Sequence, residues 1–279
     1  ADFPANQFNH VITAVPLAAT DTSPADTLWL EATSQTTPFG WLGTFTSDRV
    51  GLLVKDGASQ IVHTPAMQPE QNGQHRTVDV TLQPNGSANL TLVDRYSGAQ
   101  KDRMHGVLHE RTSTEQIATV SRTYALPSYE VVSFDPAPLS ARDLEAAMPV
   151  ALRANRYARS VGSRLFVPLS PASQVDYGLE ASDERLLPIH MGYPYLDTDT
   201  VRIALPPGYT IEALPSPIEE QTDFAHYSAQ VEQVEGSLIY TRRLELMQSR
   251  IPADQYADVR AFFQTVARAD GAQAVLKKE

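Results

Sequence analysis

The stretch Arg76-Thr77-Val78-Asp79-Val80-Thr81-Leu82, the turn Pro84-Asn85-Gly86, and the stretch Ala88-Asn89-Leu90-Thr91-Leu92-Val93-Asp94-Arg95-Tyr96 decide the fold class. Val78, Val80 and Leu82 recur with a period of two, which puts them on one face of an extended chain, and the same alternation returns after the turn. Asn-Gly favours a tight reversal, so the segment predicts a β-hairpin with one buried face. The same pattern extends outward in both directions. On the N-terminal side, Phe8–Val15, Thr27–Thr33, Val50–Val54 and Ser59–His63 predict strands. Ala18–Ala25 forms the loop between the first two, and Lys55-Asp56-Gly57 the turn between the last two. On the C-terminal side, strands are expected at 130–134, 148–160, 165–167, 201–204, 209–213, 225–234 and 237–246. Glu235-Gly236 turns the last two against each other.

Two regions break the alternation. Over Asp102–Ala125, Met104, Val107, Leu108, Ile117 and Val120 recur at helical spacing, with a break near Thr112. From Ile251-Pro252 onward, Tyr256, Val259, Phe263, Val266 and Ala267 form an apolar stripe that ends at Asp270-Gly271. Asp143–Ala147 reads as a helical turn or a bulge, and Val275-Leu276 as a short edge strand. The polar stretch between Pro65 and Gln74 divides the chain into 1–68 and 69–279. The second part is expected to be a β-sandwich with one or two helices, so the protein is mainly β.

Composition removes several function classes. The chain has 279 residues, a net charge of −11 and no cysteine. The acidic balance opposes a nucleic-acid partner, which needs basic patches. Without cysteine there is no disulfide framework, cysteine-based zinc site or thiol nucleophile within the chain. No run approaches the roughly 18 apolar residues of a membrane span. The chain opens on Ala1 and is expected to be a processed or truncated product.

One pair of residues carries recognisable chemistry. His10 lies in Gln7-Phe8-Asn9-His10-Val11-Ile12 and Glu31 in Leu28-Trp29-Leu30-Glu31-Ala32-Thr33. On adjacent antiparallel strands the two side chains come within reach. The imidazole then serves as base toward a thiol, and the carboxylate fixes its tautomer and stabilises its charged form. The other histidines are scattered. His105 and His109 share an i, i+4 spacing beside Glu110, but the intervening residues are Gly-Val-Leu, so no metal site is expected. Asp94–Asp102 lacks the spacing of a calcium loop. Tyr193, Tyr195 and Asp197 read as an aromatic loop whose side chains pack a turn, with a sugar or peptide site as the alternative, and Trp29 and Trp41 as core or edge residues, with the lining of a cleft as the alternative.

Phe8-Asn9-His10-Val11-Ile12, Trp29-Leu30-Glu31-Ala32-Thr33 and Arg49-Val50-Gly51-Leu52-Leu53-Val54, in that order, resemble the second half of a bacterial transglutaminase-like domain. Leu205-Pro206-Pro207-Gly208-Tyr209, Leu214-Pro215 and Ile251–Lys278 are similar to the all-β domain of unknown function that follows such domains. The resemblance implies a remnant antiparallel sheet of a papain-like fold over 1–68. It gives His10 the histidine position of a Cys-His-Asp triad and Glu31 the usual Asp position, a departure that lengthens the reach by one methylene. The triad's cysteine and its helix are not in this chain. The expectation is therefore the C-terminal part of a thiol acyl-transfer or amide-hydrolysing protein, inactive alone. Its implied partners are a Cys-bearing N-terminal segment of the same protein and a peptide or protein substrate. No cofactor is implied, and the implied setting is periplasmic or otherwise exported. The alternative is a non-catalytic β-sandwich that binds or scaffolds in the cell envelope.

Overall fold

The structure is a computed structural model that describes residues 8–20, 26–34, 37–175, 177–180 and 185–279. The protein is mainly β. In chain order, β1 (Thr13–Leu17) and β2 (Asp26–Leu30) pair antiparallel. A short helix α1 (Gly43–Thr46) then leads to the hairpin β3 (Val50–Leu53) and β4 (Gln60–His63). The hairpin that decides the fold follows as β5 (Gly73–Leu82) and β6 (Ala88–Ser97). Next come α2 (Gly98–Leu108), α3 (Ser113–Val120), β7 (Glu130–Phe134) and β8 (Glu145–Ala154). β9 (Arg159–Val161), β10 (Arg164–Pro168), β11 (Ile189–His190), β12 (Tyr195–Ala204), β13 (Tyr209–Ala213) and β14 (Ile218–Gln221) follow. β15 (Ala225–Val234), β16 (Ser237–Leu246), β17 (Arg250–Ile251), α4 (Tyr256–Asp270) and β18 (Gln273–Lys278) complete the chain.

Eight strands form one sheet in the order β14-β15-β16-β12-β5-β6-β8-β7, and four form another in the order β13-β18-β10-β9. β12 runs parallel to β5, and the other pairs of the large sheet are antiparallel. Inward residues of both sheets share one core: Val78, Leu92, Val150 and Leu238 from the large sheet meet Leu165, Val167, Ala274 and Leu276 from the small one. Val259, Phe262, Phe263 and Val266 of α4 enter the same core. Ordinary hydrophobic burial of a period-two face and a helical stripe thus accounts for the architecture.

Several expectations shift in detail. β1 begins at Thr13, leaving residues 8–12 outside regular structure. The loop expected over 18–25 falls largely outside the described residues. The helical break near Thr112 is a true N-cap: the Thr112 hydroxyl and the Glu115 side chain form a reciprocal capping box that starts α3. Asp143–Ala147 is not a helical turn, because Glu145 already pairs with Ser97 and extends β8. Ile251-Pro252 does not open the helix directly; Ile251 pairs with Ile189, and a 3₁₀ turn over Ala253–Gln255 precedes α4. In α4, Phe262 is buried and Ala267 is exposed. Val275-Leu276 lies in β18, which is an interior strand because β13 and β10 pair on either side. Tyr195 and Asp197 belong to a strand, drawn out by parallel pairing of Leu196 with Gly73 and Asp197 with Gln74.

The segment between Pro65 and Gln74 is tied to the large sheet. The Asn72 side chain accepts from Ala99 N–H at 2.9 Å and donates to the Pro194 carbonyl at 3.0 Å. Gly98, which opens α2, has φ +51°, and a Cβ there would stand 2.1 Å from the Gln71 carbonyl oxygen, so this approach requires glycine. On the small sheet, Arg164 of β10 pairs with Glu212 of β13 through both guanidinium and carboxylate forks. This pair is solvent-facing, so Arg164→Ala is expected to leave the urea midpoint nearly unchanged.

Candidate functional site

Antiparallel register sets Thr13 opposite Leu30. His10 lies just before β1 and Glu31 just after β2, so both side chains gather at the open end of this two-stranded sheet. His10 Nε2 and Glu31 Oε2 are 2.6 Å apart. The other carboxylate oxygen accepts the Thr33 hydroxyl at 2.6 Å and the Thr33 amide at 2.9 Å. Burial alone would raise the Glu31 carboxyl, but the Thr33 hydroxyl, the Thr33 amide and His10 together hold it below its ordinary range. Glu31 is therefore an anion held by donors on both oxygens. Its side chain is 8% exposed and that of His10 is 24% exposed.

Phe45 of α1 meets the His10 ring edge-on, with centroids 5.3 Å apart. The Thr46 carbonyl accepts the Thr64 hydroxyl at 2.6 Å, which ties α1 to the chain after β4. Just upstream, Trp41 packs with Met67, Ala99 and Tyr193 and joins this region to α2 and to the loop before β12. The chemical consequence of the pair is specific. A carboxylate can only accept, so a neutral His10 that bonds Glu31 does so through Nε2–H, and Nδ1 is then the nitrogen left to exchange protons. An imidazole fixed this way can accept a proton from an acidic nucleophile, and the adjacent carboxylate stabilises the imidazolium formed. The chain itself supplies no thiol.

The other residues weighed from sequence do not join this site. His105 on α2 and His109 at its C-cap meet edge-to-face with ring centroids 4.8 Å apart. Burial, with His109 and Lys101 nearby, lowers the His105 pKa. Among the described residues, no group of three or more His, Asp or Glu side chains could hold a metal ion. No helix among them is long and apolar enough to cross a membrane.

A second polar centre lies inside the protein. Asp94 on β6, Arg76 on β5, Asp199 on β12 and Arg242 on β16 stand opposite one another in register, forming a row of alternating charge across four strands. Asp270 at the end of α4 closes the row by accepting from Arg242 Nε at 2.6 Å and Nη2 at 3.0 Å. All five residues are buried. Arg76 pairs with Asp94, and Ser173 bridges Arg76 to Asp199 with contacts of 2.9 and 2.8 Å. The Tyr124 and Tyr96 hydroxyls donate to Asp94, and the Tyr227 hydroxyl to Asp270. Burial works against the Arg76 charge, but Asp94 and Asp199 outweigh it and raise its pKa. The sequence carries a signal for this row: each charge falls in the same phase as its strand's inward apolar residues, as Arg242 does between Tyr240 and Leu244.

A family model described as "Domain of Unknown Function with solved-structure structure (DUF3858)" matches residues 163–276. No curated protein matches the chain. A solved structure described as a putative protease from Parabacteroides distasonis is 10% identical, with a TM-score of 0.39, over 90% of this chain and 33% of that one. The chain thus spans about a third of the length of that protein.

Proposed function

We propose that His10 and Glu31 are the base and orienting carboxylate of a transglutaminase-like thiol acyl-transfer or amide-hydrolysis site. In this reading residues 1–68 are the C-terminal part of that catalytic domain and 69–279 are the β domain that follows it. The nucleophilic cysteine comes from another segment, and the substrate is an amide of a peptide or protein in an exported setting. The supporting observation is the 2.6 Å His10–Glu31 contact, with Thr33 holding the remaining carboxylate oxygen. Glu31 thereby reaches the imidazole despite standing where the family pattern has Asp.

The reaction class follows from the pair. A thiol loses its proton to His10 Nδ1, the thiolate attacks the amide carbonyl, and the imidazolium returns the proton to the leaving amine. Water or a second amine then releases the acyl group.

The test uses the natural gene product alongside the 279-residue chain. The gene product is expected to carry a cysteine upstream of Ala1 and to cleave or transamidate amide substrates in an alkylation-sensitive manner. His10→Ala should lower its kcat/KM by roughly 10²–10⁴-fold, and the 279-residue chain alone should show no turnover. A gene product without that cysteine, or turnover by the isolated chain, contradicts the proposal.

A further inference from the structure

We propose that the small cavity where Trp41 meets α2 binds one water molecule, which joins the Trp41 indole, the Lys101 ammonium and the His105 imidazole. The cavity measures about 10 Å³, which is room for a single water and for no larger ligand. Trp41, Lys101 and His105 all line it, and they are only 8%, 4% and 7% exposed. Lys101 and His105 are four residues apart on α2 and so share one face of that helix.

The hydrogen-bonding groups select the occupant. Trp41 Nε1 and His105 Nε2 are both buried, and neither has a partner. The indole nitrogen can only donate. Lys101 Nζ donates to the Ala141 and Asp143 carbonyls, which leaves the third N–H of the ammonium for another acceptor. Burial foremost, with His109 and Lys101 adding to it, lowers the His105 pKa, so at neutral pH the ring is uncharged and one of its nitrogens is a bare acceptor. Two donors and one acceptor thus line a space the size of one water. A water oxygen accepts from Trp41 and Lys101, and one of its hydrogens goes to His105 Nε2. Three hydrogen bonds are what a buried water ordinarily makes. They relieve two buried groups that are costly to leave unpaired. A halide could accept from the same donors, but it offers nothing to a bare Nε2. The Asp102 side chain, which also lines the cavity and acts electrostatically on both Lys101 and His105, opposes an anion. The arrangement gives His105 the tautomer with Nδ1–H.

The site is independent of the His10–Glu31 reading. A crystal structure of the 279-residue chain grown with sodium bromide is expected to show one ordered water within hydrogen-bonding distance of Trp41 Nε1, Lys101 Nζ and His105 Nε2, and no anomalous bromide signal there. Nitrogen-15 NMR of the labelled chain should find His105 protonated on Nδ1 and bare on Nε2. The chain has two tryptophans, so Trp29→Phe assigns the Trp41 indole N–H, which should show a dipolar cross-peak to water. His105→Leu removes the acceptor and should lose that cross-peak. The crystal and tautomer readings use the wild type, so they remain decisive where His105→Leu fails to fold. Bromide at the site overturns the proposal. So does a direct Trp41–His105 hydrogen bond with no water between them, a neutral His105 protonated on Nε2, or a Trp41 indole N–H without a water cross-peak.

Discussion

Arg242→Met is expected to lower the unfolding free energy by about 3–5 kcal/mol, the usual consequence of removing one partner from a buried ion pair. Arg242 lies between two carboxylates, at 3.2 Å from Asp199 Oδ2 and 2.6 Å from Asp270 Oδ1. Removing it leaves both carboxylates in the core, with only Arg76 as a cationic neighbour in the row. The cost comes mainly from those orphaned charges rather than from the lost attraction. The double variant Arg242→Met/Asp270→Leu should therefore recover part of the loss, since it removes one of the two uncompensated acids. Urea unfolding with an unchanged m value reads both effects. A single-variant loss below about 1 kcal/mol, the size expected of an exposed pair, would show that the row is hydrated rather than closed.

Asp197 is expected to make the protein less stable as pH rises from about 4 to about 6. Burial, opposed by the Gln100 hydrogen bond and by Arg242, moves its carboxyl from the ordinary 3.8 up to about 6. The folded state then holds a proton that the unfolded state has already released. Within that window folding takes up protons, so stability declines with rising pH and stays reduced above it. A shift of this size corresponds to about 2–3 kcal/mol. Asp197→Asn keeps an oxygen for Gln100 and removes the ionisation. It should gain about 2 kcal/mol at pH 8 and flatten this part of the profile. Equal stability of the two proteins at pH 8 would contradict the assignment. Glu31 acts in the opposite direction: its lowered pKa contributes stability above the ordinary carboxylate range, and that stability is lost as pH falls through the folded value.

The hairpins were legible because each one is a local event. Val78, Val80 and Leu82 declare a face, and Glu235-Gly236, with φ values of +46° and +75°, declares a reversal. Sheet order was not legible, because β12 beside β5 and β18 between β13 and β10 join distant parts of the chain. An alternation that counts only apolar residues also passes over Arg76, Asp94, Asp199 and Arg242, which occupy inward positions and are tolerable there only as a set. At the candidate site, His10 and Glu31 stood out through their resemblance to a triad. Thr33 and Phe45 did not, because an Oε1 contact two residues away and a ring edge from a separate helix emerge only once the chain is folded. The cavity beside Trp41 is likewise a product of how α2 meets the chain before α1, and no short motif encodes it.

The central claim is that Glu31 fixes His10 in the tautomer that presents Nδ1 as a base. Nitrogen-15 NMR of the labelled 279-residue chain, at a pH where the His10 ring is neutral, reads that tautomer directly. The account predicts a protonated Nε2 and a bare Nδ1 in the wild type, with the preference lost in Glu31→Ala. A protonated Nδ1, or the same tautomer mixture in both proteins, would contradict it.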